Sequence, residues 1–436
     1  MSTNQSVFKD EQKYIARTQK IPYYPIAFEK GDGALLYDFD GNKYIDFLAS
    51  ACSANLGHGN VEIADAVYEQ MKNLTQYTLA YFNSAPPVQL AESLCEIAPI
   101  KGEKKVLYSA TGSASIDAAI KIARAYTKRS GLISMQEAYH GSTFGAISIS
   151  ALSNNMRKGF GPLIPDVHYF SYPSKDKDWK TCIKEMEYAF VHYLPPEEVA
   201  AIFIEPIAGD AGIVIPPKEW VQALREMCDQ YGILLVVDEI QQALCRTGKW
   251  FAIENFDVEP DLIVMGKSVG GGLPLGAVIG KTNIMNALEP PAHLFTLAGN
   301  TTVCTAGQKN LEILKRIDAN ELSIVRGEYL KNKFESLKEK YDFIGEIRGL
   351  GLSIGVDIID PETGGKNNEA TAKICYYAIK NGLLMIFLNQ STLRVQPPLV
   401  IQESEIDEAM QIIDAAMNAY ANGEIGDEVL EEIAGW

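Results

Sequence analysis

Three apolar runs, each ending close to a charged residue, constrain the fold of this chain more than any other feature. They are AIFIE ending at Glu205, LLVVD ending at Asp238, and LIVMGK ending at Lys267. Unbroken runs of Val, Ile, Leu and Phe of this length are typical of strands buried on both faces of a parallel sheet. Because ligands of open α/β sheets bind at the carboxyl ends of the strands, these three side chains mark a predicted ligand site.

The pattern along the chain predicts an α/β protein, and its 436 residues are enough for two domains. Residues 55–310 alternate between helical and strand periodicity, which predicts a large domain with a mostly parallel sheet and helices on both faces. Residues 311–436 predict a smaller α+β domain, to which residues 1–54 contribute. In this first segment we expect a helix around residues 10–20 and a hairpin at residues 37–46, turning at Asp40-Gly41-Asn42.

Composition argues against several classes of function. A net charge of −17 leaves no basic surplus to neutralise phosphates, which disfavours nucleic-acid binding and an anionic membrane surface. The polar N-terminal segment lacks the apolar core of a secretory signal, and no apolar stretch has the length of a spanning helix, so we expect a cytoplasmic protein. The seven cysteines form no C-x-x-C pair and the five histidines no H-x-x-x-H pair, which predicts free thiols and no metal site.

Two further segments contribute to the predicted ligand site. Thr111-Gly112-Ser113 is a small-residue turn that opens a helix, and the unpaired N–H groups of such a turn suit a phosphate. A plain helix N-cap is the alternative for this turn. Tyr139-His140-Gly141 follows a short apolar run and could lay an aromatic ring on a planar cofactor. The alternative for Tyr139 is ordinary core packing.

Asp238 and Lys267 indicate the kind of cofactor. An ionised carboxylate at the end of a buried strand is costly unless a cation meets it, and the protonated nitrogen of a pyridine ring is such a cation. A lysine against a buried strand loses its proton readily and can bind an aldehyde covalently. A capping or salt-bridged aspartate remains the alternative for Asp238 by itself. The order and spacing of the segments together predict a pyridoxal 5′-phosphate (PLP) site.

These motifs resemble those of the class III aminotransferases, a fold-type I PLP family, and the resemblance covers nearly the whole chain. The matching segments are Thr111-Gly112-Ser113, Tyr139-His140-Gly141, Glu205-Pro206, Asp238-Glu239-Ile240-Gln241, Gly266-Lys267, His293 to Asn300 and Leu393 to Leu399. The resemblance implies that Lys267 bonds PLP covalently and that Asp238 pairs with the ring nitrogen. It also implies that Ile240 packs on the ring face opposite Tyr139 and that Gln241 bonds the phenolic oxygen. His140 and Glu205 are placed in the same cofactor site.

The resemblance also implies substrate residues and a partner subunit. Arg394 is the expected ligand of the substrate carboxylate, for which the bidentate fork of arginine is better suited than lysine. Thr296 is the expected contact to the phosphate of the neighbouring subunit, which implies a homodimer or a dimer of dimers with its sites at the interface. Tyr23 and Tyr81 are candidates for the substrate pocket, and core packing is the alternative for both.

Three segments depart from the pattern of the family. Ala114-Ser115 lacks the acid of the usual S-G-S-E-A, and Ala243 and Cys245 stand where glycines are usual. Asp210 stands where ω-aminotransferases often carry a glutamate that gates the arginine corresponding to Arg394. A shorter aspartate reaches less far, which puts that gating role in doubt.

Within the family, the chain resembles the isoleucine 2-epimerases and broad-range amino-acid racemases, which also carry an aspartate at this place. The expected reaction is inversion at Cα of apolar amino acids such as isoleucine, leucine and valine. Lys267 then removes the α-proton, and Asp210, or a water that it holds, returns a proton to the opposite face; Tyr139 is the competing donor. The alternatives are a class III aminotransferase of the 4-aminobutyrate or ω-amino-acid type, and a PLP-binding protein with little catalysis.

Overall fold

The computed structural model describes residues 2–21, 23–175 and 177–431, so the last five residues of the predicted C-terminal domain lie outside the described part. The chain divides into a central unit, Glu62–Asn320, and a terminal unit built from Met1–Val61 and Glu321–Trp436. The predicted boundaries after residues 54 and 310 come shortly before these divisions, and the assignment of the segments to functional domains stays a prediction.

Strands of the described residues are numbered in chain order. They are β1 (Phe28–Asp32), β2 (Leu35–Asp38), β3 (Lys43–Asp46), β4 (Lys104–Ser109), β5 (Gly131–Met135), β6 (Val167–Phe170), β7 (Val199–Ile204), β8 (Leu234–Asp238), β9 (Leu262–Met265), β10 (Gly276–Lys281), β11 (Ile344–Leu350), β12 (Ser353–Ile358), β13 (Leu383–Leu384), β14 (Ile386–Leu388) and β15 (Thr392–Val395).

Both units also contain helices. The α-helices are Asn4–Tyr14, Val61–Asn73, Ala85–Ile97, Gly112–Thr127, Phe144–Ile149, Trp179–His192, Lys218–Tyr231, Thr282–Met285, Thr301–Arg316, Ala319–Lys338, Asn368–Lys380 and Glu403–Ala421. Short 3-10 turns are Arg17–Gln19, Asn154–Met156, Pro196–Glu198, Ala252–Phe256, Lys267–Gly270 and Asp427–Glu431. No helix among the described residues combines the length and the apolar character needed to cross a membrane.

The central unit is built on a seven-stranded sheet with the order β4-β10-β9-β8-β7-β5-β6. The pairs β5·β6, β5·β7, β7·β8 and β8·β9 are parallel, and within the described part of this sheet the antiparallel pairs are those that β10 makes with β4 and β9. All residues of β7 and β8 are buried, as the three apolar runs predicted. The mostly parallel sheet predicted from the sequence is therefore confirmed.

The terminal unit holds two four-stranded sheets, with the orders β1-β2-β3-β13 and β11-β12-β15-β14. The predicted hairpin is present, because β2 pairs antiparallel with β3 and Gly41 adopts φ +87° in the turn between them. The helix expected around residues 10–20 was wrong in its bounds. It spans Asn4–Tyr14 instead, because Thr3 and Ser6 form a capping box that sets its start and Ile15 is already extended.

Candidate active site

Five strands of the central unit end at one edge of its sheet. β5, β7, β8 and β9 run in one direction, and β4 shares it because β4 and β9 are both antiparallel to β10. The candidate residues lie at these strand ends or within a few residues after them, namely Thr111, Tyr139, Glu205, Asp238 and Lys267. The sheet therefore brings five segments together that are far apart in the sequence.

Asp238 and His140 form a buried pair at the centre of this edge. The Nδ1 atom of His140 lies 2.7 Å from Oδ2 of Asp238, while the backbone N–H of Ile240 donates to Oδ1 at 3.0 Å. Burial alone lowers the pKa of His140, but the hydrogen bond and the charge of Asp238 outweigh it and raise that pKa. Nε2 of His140 is buried and has no hydrogen-bond partner within the described residues. The sequence placed His140 in the site without indicating this pairing.

Glu205 links two loops of the site. Its Oε1 atom accepts the N–H of Tyr139 at 3.0 Å, and its Oε2 atom accepts the N–H of Gly209 at 2.8 Å. Burial raises the pKa of Glu205 to about 7, and the charge of Asp238 adds to the rise. Because Gly209 precedes Asp210, this one carboxyl group fixes the loops that carry both candidates for the second proton donor.

Asp210 and Gln241 are hydrogen-bonded to each other. The Nε2 atom of Gln241 donates to Oδ1 of Asp210 at 3.2 Å, and both side chains are buried. A Cβ atom on Gly209 would lie only 2.1 Å from Oε1 of Gln241, so any other residue there would displace the Gln241 amide from this position. The resemblance assigned Gln241 to the cofactor, and the structure adds that it orients the Asp210 carboxylate.

The turn before the helix Gly112–Thr127 has the form of an anion site. The hydroxyl of Thr111 accepts the N–H of Ala114 at 3.2 Å, so Thr111 is the N-cap. The N–H groups of Gly112 and Ser113 have no acceptor within the helix, and the helix dipole favours a negative charge there. A Cβ atom on Gly266 would lie 2.8 Å from Cα of Gly112, and one on Gly112 would lie 2.7 Å from Cδ1 of Ile240. The backbone of Gly112, the side chain of Ile240 and the loop before Lys267 therefore lie close together at this turn.

The side chain of Ser113 has a structural role that the sequence did not indicate. Its Oγ atom accepts the N–H groups of Ser142 and Thr143 at 2.9 and 2.8 Å. The same oxygen lies 2.9 Å from Oγ1 of Thr143. The hydroxyl therefore holds the loop that follows Gly141. Gly141 itself has a φ of +129°, a backbone conformation that favours glycine. This leaves the backbone N–H of Ser113 as the group that suits a phosphate.

Lys267 lies directly after β9 in a strained conformation. Its φ is +48°, a value that non-glycine residues rarely adopt and that is concentrated at functional positions. The side chain is half-buried, and its Nζ atom makes no hydrogen bond or ion pair with any part of the chain that the structure describes. An amine in this situation is available for covalent bonding.

Two predicted residues of the central unit lie on its surface rather than in the buried cluster. Tyr81 is 73% exposed. Thr296 is also exposed, and its carbonyl accepts Nε2 of Gln76 at 3.0 Å. Neither position contributes to the group formed by Asp238, Glu205 and the segments around them.

The remaining predicted residues belong to the terminal unit. Arg394 lies in β15 and is buried, with Nε donating to Oε1 of Gln396 at 2.6 Å and NH2 approaching Sγ of Cys52 at 3.8 Å. Tyr23 is half-buried and packs edge to face on Phe387, with the ring centroids 6.5 Å apart. The contact of Arg394 with Cys52 was not foreseen from the sequence.

The profile of the family described as aminotransferase class-III matches residues 14–417. The chain belongs to the class III aminotransferase family. It is 40% identical over 427 residues to the isoleucine 2-epimerase of Lentilactobacillus buchneri, with 95% of each chain covered. It is 38% identical over 442 residues to the leucine/methionine racemase of Thermococcus litoralis, with 99% of each chain covered.

Solved structures of aminotransferases share this fold. The ornithine aminotransferase of Toxoplasma gondii, solved with PLP partially occupying its active site, superposes with a TM-score of 0.86 at 28% identity, covering 97% of this chain and 96% of that one. These comparisons confirm the family and the fold-type I class that the sequence motifs predicted.

Membership of the class III family implies PLP, and the central unit fits this group on three counts. The glycine turn at Gly112 offers N–H groups to a phosphate, Asp238 offers a buried carboxylate to a protonated ring nitrogen, and Lys267 offers an unengaged amine. The three groups follow three strands that end at the same edge of the sheet.

Proposed function

We propose that this chain is a PLP-dependent amino-acid 2-epimerase that inverts Cα of apolar amino acids such as isoleucine, leucine and valine. The observation that carries the proposal is the fixed Asp210 carboxylate, held by Gln241 and by the Glu205 bond to the preceding residue. Inversion needs a second proton donor besides Lys267, and Asp210 supplies an acidic group for that task. The two relatives named as an isoleucine 2-epimerase and a leucine/methionine racemase support the same reaction.

Each residue then has a distinct role. When bound, PLP draws electron density from Cα and makes the α-proton of the amino acid acidic. Lys267 takes that proton on one face, and Asp210, or a water that it holds, delivers a proton on the other. Asp238, held in place by His140, keeps the ring nitrogen protonated. Arg394 binds the substrate carboxylate through its guanidinium fork.

Asp210→Asn tests the assignment of the second donor, with Tyr139→Phe as the competing variant. The asparagine keeps the size of the side chain and the bond from Gln241 but has no acidic proton. We expect it to slow inversion in both directions but to keep exchange of the α-proton with solvent deuterium for the isomer whose proton Lys267 takes, because each base serves one face. Chiral chromatography with mass detection, after L-isoleucine and D-allo-isoleucine are each incubated with the enzyme in D2O, measures inversion and exchange for both isomers. An equal loss of exchange for both isomers, or unchanged inversion, removes Asp210 from the role, and exchange kept for only one isomer in Tyr139→Phe assigns it to the tyrosine.

The second candidate function is aminotransfer of the 4-aminobutyrate or ω-amino-acid type, which the likeness to an ornithine aminotransferase favours. Incubation of PLP-loaded protein with L-isoleucine alone separates the two. Accumulation of D-allo-isoleucine over many turnovers supports the epimerase. A single turnover per site, resumed only after a 2-oxo acid is added, identifies an aminotransferase instead.

Lys267→Ala is the control for both reactions. We expect it to abolish turnover and the yellow colour of the bound cofactor, because the covalent bond is lost. If Lys267→Ala loses the colour and the wild-type protein turns over neither substrate, the chain binds PLP with little catalysis.

We also propose that the working enzyme is a homodimer or a dimer of dimers. The segment around Thr296 exposes apolar side chains to solvent, with Leu294 47%, Phe295 43% and Leu297 60% exposed. Such a run is costly in water and favours a second copy of the chain over this surface. Sedimentation equilibrium tests this, and Phe295→Glu is expected to weaken association; a monomer active at low concentration would contradict it.

A further inference from the structure

Four consecutive residues of the terminal unit adopt left-handed backbone conformations. The φ angles of Ala49, Ser50, Ala51 and Cys52 are 46°, 49°, 54° and 66°. None of them is glycine, and L-residues rarely adopt this region even singly, because Cβ approaches the following carbonyl oxygen. A strained segment of this kind persists only where its surroundings determine its conformation, and such segments are concentrated at functional sites.

A buried carboxylate holds the start of this left-handed turn, Ala49–Cys52. Oδ1 of Asp46 accepts the N–H groups of Leu48 and Ala49 at 2.8 and 3.0 Å. Its other oxygen lies 2.7 Å from Nε2 of His58. The Asp46 side chain is almost fully buried, so its hydrogen bonds are not exchanged for water. Asp46 precedes the turn and His58 follows it, so this hydrogen-bonded pair joins the two ends of the segment that contains the turn.

The same segment is joined to the strand that carries Arg394. The backbone N–H of Gln396 donates to the carbonyl of Phe47 at 2.8 Å, before the turn, and that of Leu399 donates to the carbonyl of Asn55 at 2.8 Å, after it. Between these two bonds, Sγ of Cys52 lies 3.8 Å from NH2 of Arg394. The left-handed turn thus brings a buried thiol against the guanidinium.

Gln396 holds the other side of the guanidinium. Its Oε1 atom accepts Nε of Arg394 at 2.6 Å, and its own Nε2 atom donates to Oγ of Ser353 at 2.8 Å. The amide oxygen and the thiol sulfur are both uncharged. They can orient the planar fork without the competition that a carboxylate at the same places would offer to a carboxylate ligand.

We infer that the left-handed turn is a positioning element, which fixes the Arg394 guanidinium through Cys52 for the carboxylate of the amino-acid substrate. This inference rests on the proposed function, in which Arg394 binds that carboxylate. Bidentate recognition depends on the angle of the fork, so a small rotation of the guanidinium weakens binding of the substrate without removing the charge. Cys52 is then a positioning residue and takes no part in the proton transfers.

Cys52→Ala tests the inference, with Cys375→Ala as the matched control. Both cysteines are buried in the terminal unit, and both variants delete one sulfur atom, but only Cys52 contacts Arg394. The probe is 3-methylpentanoate, which has the carboxylate and side chain of isoleucine but no amine to react. Isothermal titration calorimetry of the PLP-loaded enzyme gives its Kd, and steady-state kinetics give KM and kcat for L-isoleucine.

We expect Cys52→Ala to raise both the Kd of 3-methylpentanoate and the KM of L-isoleucine about fivefold, with kcat changed less than about twofold. Cys375→Ala is expected to leave all three unchanged. Cys52→Ser keeps an acceptor and is expected to restore Kd and KM to within about twofold of the wild type. If the alanine variant does not fold, Cys52→Gly serves instead, because glycine favours the backbone conformation at this position.

Arg394→Lys separates failure of the inference from failure of the proposed function. If Arg394→Lys leaves the Kd of 3-methylpentanoate unchanged, Arg394 does not bind the carboxylate and the proposed role is wrong. If Arg394→Lys raises that Kd tenfold or more while Cys52→Ala behaves like Cys375→Ala, the role of Arg394 stands and the positioning inference is overturned. The inference is likewise overturned if Cys52→Ala lowers kcat without changing either KM or Kd.

Discussion

Removal of the His140 imidazole tests the electrostatic centre of the site. In the variant His140→Phe, a ring of similar size remains against Phe203, but Asp238 loses its partner at 2.7 Å. Breaking a buried ion pair by removing one member costs roughly 3–5 kcal/mol. Asp238 keeps the N–H of Ile240 at 3.0 Å, so we expect the lower end, about 3 kcal/mol, or roughly two powers of ten in the folding equilibrium.

PLP should reduce this loss if Asp238 pairs with its ring nitrogen. The cofactor gives the carboxylate a second cationic partner, so the variant should be destabilised more in the PLP-free protein than in the loaded one. Urea unfolding of both forms, at one fixed protomer concentration, measures the difference. His192→Phe is the matched control, because His192 is exposed at the end of its helix and should change stability by less than about 0.5 kcal/mol.

A double-mutant cycle with Asp238→Asn isolates the pair. Asparagine removes the charge that His140→Phe leaves without a partner, so the double variant should recover at least about 1 kcal/mol relative to additivity. A coupling energy below about 0.5 kcal/mol would refute the argument that the two side chains stabilise each other. An equal loss in the PLP-free and loaded proteins would instead refute the pairing of Asp238 with the cofactor.

Three further predictions concern stability and cofactor affinity. Burial raises the pKa of Glu239 from 4.5 to about 8, so the folded state holds this proton more tightly than the unfolded state, and the unfolding free energy should fall as the pH rises from about 4.5 to 8. Glu239→Gln should make that fall smaller by at least about 1 kcal/mol, measured by urea unfolding at pH 5 and pH 8; an unchanged slope would contradict it. Gly266→Ala places a Cβ atom 2.8 Å from Cα of Gly112 and should weaken PLP binding at least about tenfold in an absorbance titration. Unchanged affinity would show that the turn at Gly112 can move aside. Ala51→Gly should raise the unfolding free energy by about 0.5–1 kcal/mol, because it removes a left-handed backbone strain of about 1–2 kcal/mol. Its control, Ala64→Gly in the right-handed helix Val61–Asn73, should lower the unfolding free energy by about 1 kcal/mol. A lower unfolding free energy in both variants would show that Ala51 is not strained.

Much of the central unit could be predicted because its signals are local. The strands β7, β8 and β9 are apolar runs, and a charged residue lies at the end of each one or within two residues after it. Since parallel strands end at one edge, the sequence also predicted that Glu205, Asp238 and Lys267 lie at the same edge of the sheet. The family followed from the same motifs, because the turn, strand-end and lysine segments occur in a fixed order.

The start of the first helix was missed for a local reason of a different kind. The predicted bounds followed the charged stretch of residues 10–20, whereas Thr3 and Ser6 set the actual start by satisfying each other's backbone N–H groups. A capping box with serine in place of the usual Glu or Gln is a weak signal in a sequence.

The sequence by itself determined which residues end the strands and which family they belong to, and only the tertiary structure decided what those residues contact. His140 and Asp238 are 98 positions apart, and Arg394 and Cys52 are 342 positions apart, so no local pattern couples either pair. The left-handed turn Ala49–Cys52 contains no glycine or asparagine from which its conformation could be predicted. Its conformation is imposed by Asp46 and by backbone hydrogen bonds to the residues that follow β15. Local sequence sets strand and turn propensity, whereas burial and long-range hydrogen bonds decide where a strained backbone and a buried charge are stable.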